Sequence, residues 1–158
     1  MRPFGRHISH MHLPQDLLDL LTHANAARRR GLHASAAELE LERRFTPTER
    51  LAVYGTLAPG EVNHHVVSHM GGQWTSGFVN GDVSSNGWGA AHGFPGMHWT
   101  PDGAPVRVQL LTASALPHHW AELDEFEGAD YLRILVPVTE SADATGDAVV
   151  LANLYELR

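Results

Sequence analysis

The hydrophobic spacing of this 158-residue chain changes character once, at Thr46-Pro47, and that break sets what it can fold into. Before it, Leu17, Leu18, Leu20, Leu21 and Ala24 recur at helical spacing across residues 14–30. Pro14 suits a first helical turn and Gly31 a stop. Ser35 and Glu38 form an S-x-x-E capping box that opens a second helix running to about Phe45, where the threonine–proline pair ends it. Residues 1–48 therefore read as an N-terminal helical extension, and residues 49–158 as a separate globular unit. The extension is expected to cover an exposed sheet edge or to make a homodimer contact.

From Glu49 onward the pattern is one of short strands and turns. Leu51-Ala52-Val53-Tyr54 is an apolar run stopped by Gly55, as in a buried strand entering a tight turn. Residues 71–105 carry nine of the chain's 15 glycines, a density that suits irregular loops and short strands around a cavity. Further strands are expected at Val106–Leu111, Leu132–Val138 and Ala148–Leu157, with a helix over residues 117–127. The class is α+β, and no internal repeat interrupts it.

Composition narrows the chemistry. The chain has no cysteine, and all 11 of its basic residues are arginine, against 18 acidic residues and 12 histidines; the formal charge is −7. Disulfide scaffolds, thiolate nucleophiles and cysteine-held zinc or iron–sulfur centres are excluded. So are Schiff-base lysines and phosphate-loop lysines. Carboxylate, imidazole, hydroxyl and backbone groups remain. An acidic chain does not attract phosphate backbones over its whole surface, so no nucleic-acid partner is expected. The cluster Arg28-Arg29-Arg30 sits at a helix end, where it complements the macrodipole. No apolar run approaches the roughly 20 residues needed to cross a bilayer, so no membrane partner is expected. The residues after Met1 form no continuous apolar segment, and a cytoplasmic protein is expected.

The helix at 117–127 carries the best chemical clue. Leu116, Trp120 and Leu123 fall within about 60° of one another around it, and Glu127 extends the same apolar stripe. Glu122 and Glu125 point elsewhere, and Asp124 lies at the margin, so the other acids read as solubilising charges. A carboxylate facing a core is costly unless paired or protonated. Desolvation and the negative helix end both raise its pKa toward the range useful for proton transfer. On pattern alone three readings stay open: an acid/base, a glutamate bonded to a backbone amide, or a helix end that frays so that the side chain escapes to solvent.

Two motifs coincide with these features. Tyr54-Gly55-Thr56-Leu57, directly after an apolar strand, resembles the Y-G-[ST]-L signature of the γ-glutamylcyclotransferase (AIG2-like) family. Leu123-Asp124-Glu125-Phe126-Glu127-Gly128, followed by Tyr131 and Arg133, resembles that family's L-D-x-F-E-G…Y-x-R segment. Gly60-Glu61-Val62-Asn63-His64 is similar to its G-x-x-N-H, and Phe94-Pro95-Gly96 to its aromatic–proline segment. The resemblance runs from about Leu51 to Leu157. It implies a small mixed β-barrel with flanking helices, and Glu127 as the catalytic acid/base. It also implies a backbone turn at Tyr54 to Leu57 that binds the substrate's glutamyl carboxylate; Tyr131 and Tyr155 are further pocket residues. The implied substrate is a small γ-glutamyl amine or peptide, cyclised to 5-oxoproline without cofactor or metal. The chain departs from the pattern at Val106-Arg107-Val108-Gln109-Leu110-Leu111, where the family often has V-x-G-E-[LV]-Y. The segment with Trp74, Trp88 and Trp99 is individual to this sequence.

Other chemistries compete. His64-His65-x-x-x-His69 and His7-x-x-His10-x-His12 present imidazoles at spacings open to a transition metal. No acid lies between His64 and His69, so the H-E-x-x-H pattern is absent, and no metal site is expected. G-x-S-x-G is absent as well. The remaining alternative is a binding module that keeps the fold as a small-ligand pocket with weak or lost catalysis.

Overall fold

The computed structural model describes residues 13–84, 96–140 and 148–158. The N-terminal extension forms α1 (Gln15–Arg29) and α2 (Ala36–Phe45), with the Ser35 side chain capping the Glu38 amide. A 3₁₀ turn at Pro47–Glu49 leads into β1 (Arg50–Val53). There follow a single helical turn α3 (His65–Ser68), β2 (Gln73–Ser84), β3 (Gly96–Trp99) and β4 (Ala104–Thr112). A second 3₁₀ turn at Leu116–His118 precedes α4 (Trp120–Glu127), and β5 (Tyr131–Glu140) and β6 (Val149–Leu157) close the chain. The single helix expected over 117–127 is thus a 3₁₀ turn followed by a shorter α-helix.

The strands run in the order β3-β2-β4-β1-β6-β5, and β2 pairs again with β5, so five of them close into a barrel with β3 as an added strand. All pairings are antiparallel except that of β1 with β6, which places Leu51 beside Asn153 and Ala52 beside Leu154. The fold is therefore the mixed α+β barrel with flanking helices. Side chains alternate across each strand. Ala52, Val79, Val108, Leu110, Ile134, Val136, Val138, Ala152 and Leu154 fill the barrel together with Met97.

The glycine-rich region differs from the irregular loop expected of it. Its first part is β2, which at twelve residues is the longest described strand. Part of its glycine is used for strand contact instead of looping. At Gly77, where β2 meets β5 to close the barrel, a Cβ would stand 2.8 Å from the Thr139 carbonyl oxygen. Phe94 and Pro95 lie outside the described residues.

Helices coat the outer faces. Leu17, Leu21 and Ala24 of α1, with Leu41 of α2, pack on Leu135 of β5 and Leu151 of β6. Truncating one such fully buried leucine to alanine costs about 2–5 kcal/mol. β2 pairs with β5 at Thr139 and Glu140, and among the described residues it is α1 that meets the earlier part of this β5 edge. Asn25 satisfies both backbone groups of Leu135, donating to its carbonyl at 2.8 Å and accepting from its amide at 2.8 Å. Arg28 and Arg29 do more than complement the end of α1. Arg28 is buried and ion-paired with Glu38, while Arg29 reaches Glu156 at 3.1 Å. On another outer face Leu51, Val53, Leu111, Leu116, Trp120 and Leu123 form a separate apolar cluster under α3 and α4. Among the described residues no helix is long and apolar enough to cross a membrane.

Candidate active site

At one end of the barrel β1 stops at Val53 and the chain bends through Tyr54, Gly55, Thr56 and Leu57. Opposite this bend α4 ends at Glu127. Gly128 then adopts φ 79° and ψ −172°, a conformation essentially confined to glycine, and turns the chain into β5. Between bend and helix end lies a pocket of about 400 Å³, a size that suits a small molecule. Glu127, Tyr54, Gly55, Thr56, Leu57, Tyr131 and Tyr155 all line it, with Asn63, Phe126 and Asp130.

The bend is braced from below. Asn63 donates from its side chain to Thr56 Oγ1 at 3.0 Å and from its backbone to the Thr56 carbonyl at 2.9 Å. His64 Nδ1 lies 2.9 Å from the Leu57 carbonyl, so it carries the proton and donates. The G-x-x-N-H stretch thus holds the bend in shape. Among the described residues, none accepts a hydrogen bond from the backbone amides of Gly55, Thr56 or Leu57. A Cβ on Gly55 would meet nothing within 4 Å, so this backbone is open on its pocket side. Unpaired amides on such a bend form a concave donor set for an anion.

Glu127 is half-buried, and no hydrogen bond or ion pair among the described residues engages its carboxylate. Burial pushes its pKa from 4.5 up to about 7. The alternative of a glutamate bonded to a backbone amide is therefore not what the structure holds. Three tyrosines surround it, and burial raises the pKa of each, with the Glu127 charge adding to the effect. They stay neutral near pH 7. Tyr54 donates to the Tyr155 carbonyl at 2.7 Å, and Tyr155 donates to Asp124 Oδ1 at 2.6 Å. These two hydroxyls are engaged within the protein, so their rings wall the pocket while the bend supplies donors.

Asp124, expected from its spacing to be a solubilising charge, is instead held within the protein. Arg133 grips it with two bonds, Nε to Oδ1 at 2.8 Å and Nη2 to Oδ2 at 3.2 Å. The register of β5 and β6 pairs Arg133 with Tyr155, so both reach one carboxylate from adjacent strands. The Arg133 guanidinium also lies 4.5 Å from the centre of the Trp120 ring. An acid at the margin of an apolar stripe, followed by a β-strand arginine, was the available signal.

The histidines behave differently. Among the described residues no group of three or more histidine, aspartate or glutamate side chains could hold a metal ion. His69 stacks edge-on with His119 at 5.4 Å, and His118 is exposed. His7, His10 and His12 lie outside the described residues.

A small closed barrel with a carboxylate at its rim, facing a glycine-containing bend, defines a recognisable class. The family model for γ-glutamyl cyclotransferase, AIG2-like proteins matches residues 51–157. The chain belongs to this family. Solved structures agree on the fold. An AIG2-like protein from Mus musculus is 23% identical over 68% of this chain and 76% of its own, with a TM-score of 0.51. YkqA from Bacillus subtilis is 22% identical over 70% of this chain and 36% of its own, with a TM-score of 0.52. A third, At3g28950.1 from Arabidopsis thaliana, is 18% identical over 69% of this chain and 61% of its own, with a TM-score of 0.51. Among curated proteins no match is found. The family match begins at Leu51, so α1 and α2 lie outside it.

Proposed function

We propose that this protein is a cofactor-independent γ-glutamylcyclotransferase that releases 5-oxoproline and an amine or amino acid from a small γ-glutamyl substrate. The observation that carries this reading is Glu127, an unpartnered carboxylate with a pKa of about 7, facing the open amides of Gly55, Thr56 and Leu57 across one pocket. The bend binds the substrate's α-carboxylate and steadies the oxyanion that develops on the γ-carbonyl. Ionised Glu127 takes a proton from the α-amino group, whose nitrogen then attacks the γ-carbonyl carbon. The new N–C bond closes a five-membered ring. The bond to the departing nitrogen breaks as Glu127 returns the proton to it. Because the attack is intramolecular, holding the folded conformer does much of the work. The scheme uses no lysine, cysteine, metal or nucleic acid, and it goes with a cytoplasmic setting.

Incubation with a panel of γ-glutamyl amines, γ-glutamyl dipeptides and glutathione, assayed for 5-oxoproline, tests the reading. Release from at least one member is expected. No release from any of them, with ligand binding retained, replaces the enzyme by a binding module on the same fold.

A further inference from the structure

The outer face of the β5–β6 pair carries two helical layers in succession. Leu135 and Leu151 are covered by the N-terminal helices, and Arg133 and Tyr155 by α4 through Asp124. Asn153 lies between them in register, fully buried, opposite Leu135 and two residues before Tyr155. Its amide orientation is fixed, since Nδ2 donates to the Pro47 carbonyl at 2.9 Å. Its Oδ1 consequently faces two guanidinium groups at once, accepting from Arg28 Nη1 at 2.8 Å and from Arg133 Nη1 at 3.1 Å. Arg28 also donates to the Arg133 carbonyl at 3.2 Å.

Two like charges share one amide oxygen, and each has its own acid to offset their repulsion. Glu38 of α2 pairs with Arg28, and Asp124 of α4 with Arg133. Burial lowers the pKa of Arg28, Glu38 opposes that, and Arg133 lowers it further. The chain of contacts thus runs from α2 through Arg28, Asn153, Arg133 and Asp124 to the helical turn that ends at Glu127.

We propose that Arg28 is a positioning residue of the pocket: through Asn153 and Arg133 it holds Asp124, and so sets the depth at which Glu127 is buried. The N-terminal helices, which lie outside the family match, are on this view part of the site's support. The inference rests on Glu127 being the working carboxylate for any effect on turnover, but its geometric part does not. Glu127 is faced by Tyr54 from the end of β1, by Tyr131 from β5 and by Tyr155 from β6; Asp130 lies on the loop between α4 and β5. The partners of Arg28 are Glu38, Asn153 and the Arg133 carbonyl, while the Tyr54 and Tyr155 hydroxyls bond the Tyr155 carbonyl and Asp124, so a change in Glu127 on altering Arg28 reports the relay.

The test is a carbon-13 NMR titration of the Glu127 carboxyl in the full chain, with no substrate present. It compares wild type, Arg28→Met, and the double variant Arg28→Met/Glu38→Gln, which leaves no unpaired buried charge. Loosening α4 hydrates Glu127, so its midpoint is expected to fall by half a pH unit or more in either variant that folds. A midpoint unchanged within two-tenths of a unit in a folded variant overturns the proposal. Where the wild type turns over a γ-glutamyl substrate, kcat should fall about tenfold with KM changed less than twofold. A wild type that shows no turnover counts against the proposed reaction and leaves the titration to decide the relay.

Discussion

Tyr155 and Asp124 meet hydroxyl to carboxylate at 2.6 Å, tying β6 to the helical turn from which Glu127 projects. The same carboxylate is held by Arg133, so the end of α4 is fixed from two strands at once. Removing the hydroxyl in Tyr155→Phe leaves the ring as a pocket wall and deletes one charge-assisted bond. Because Asp124 is partly exposed and keeps Arg133, the expected loss is about 1 kcal/mol. A denaturant melt checks it as a lower midpoint at unchanged slope; an unchanged midpoint would show that the bond contributes nothing to stability.

Gly55 is expected to matter for binding and not for folding. A methyl group there meets no protein atom within 4 Å, and the backbone does not need a positive φ. Gly55→Ala should therefore melt within about 1 °C of wild type, a shift below what 1 kcal/mol produces in a domain of this size. Its kcat/KM should fall about tenfold or more as the methyl blocks approach to the amides. A variant that keeps full kcat/KM would place the substrate's carboxylate elsewhere.

The raised pKa of Glu127 has a signed consequence for stability. In the folded state it holds its proton up to about pH 7, whereas the ordinary carboxyl value is 4.5. Between those values the folded state binds more protons than the unfolded one, so this group's contribution falls as pH rises through the window. Across the whole window the loss is on the order of 3 kcal/mol. Glu127→Gln should match wild type below pH 4.5 and exceed it in melting temperature above pH 7. Equal melting temperatures at pH 8 would mean that Glu127 is not desolvated. For activity the sign is opposite: the ionised form is the base, so kcat/KM should climb with pH through about 7.

The site was more legible in the sequence than its surroundings. Glu127 was visible because one acid broke an otherwise apolar stripe set by Leu116, Trp120 and Leu123, and the bend was visible because Gly55 ended an apolar strand. The pairing of Arg133 with Asp124 was not, because it depends on β5 and β6 running side by side in a register that local spacing does not encode. Arg28 looks like a plain helix-end charge in the sequence for the same reason; its partner Asn153 is 125 residues away. Glycine density also misled. It suits loops, but at Gly77 it serves a close strand crossing, which only barrel closure creates.

The most direct measurement is 5-oxoproline release by Glu127→Gln on a substrate that wild type turns over. The variant keeps the shape of the side chain and removes the proton acceptor, so kcat should fall by about 10²–10⁴ with the fold and the ligand affinity retained. Turnover within a few-fold of wild type would contradict the account, since among the described residues the one other carboxylate lining the pocket is the exposed Asp130.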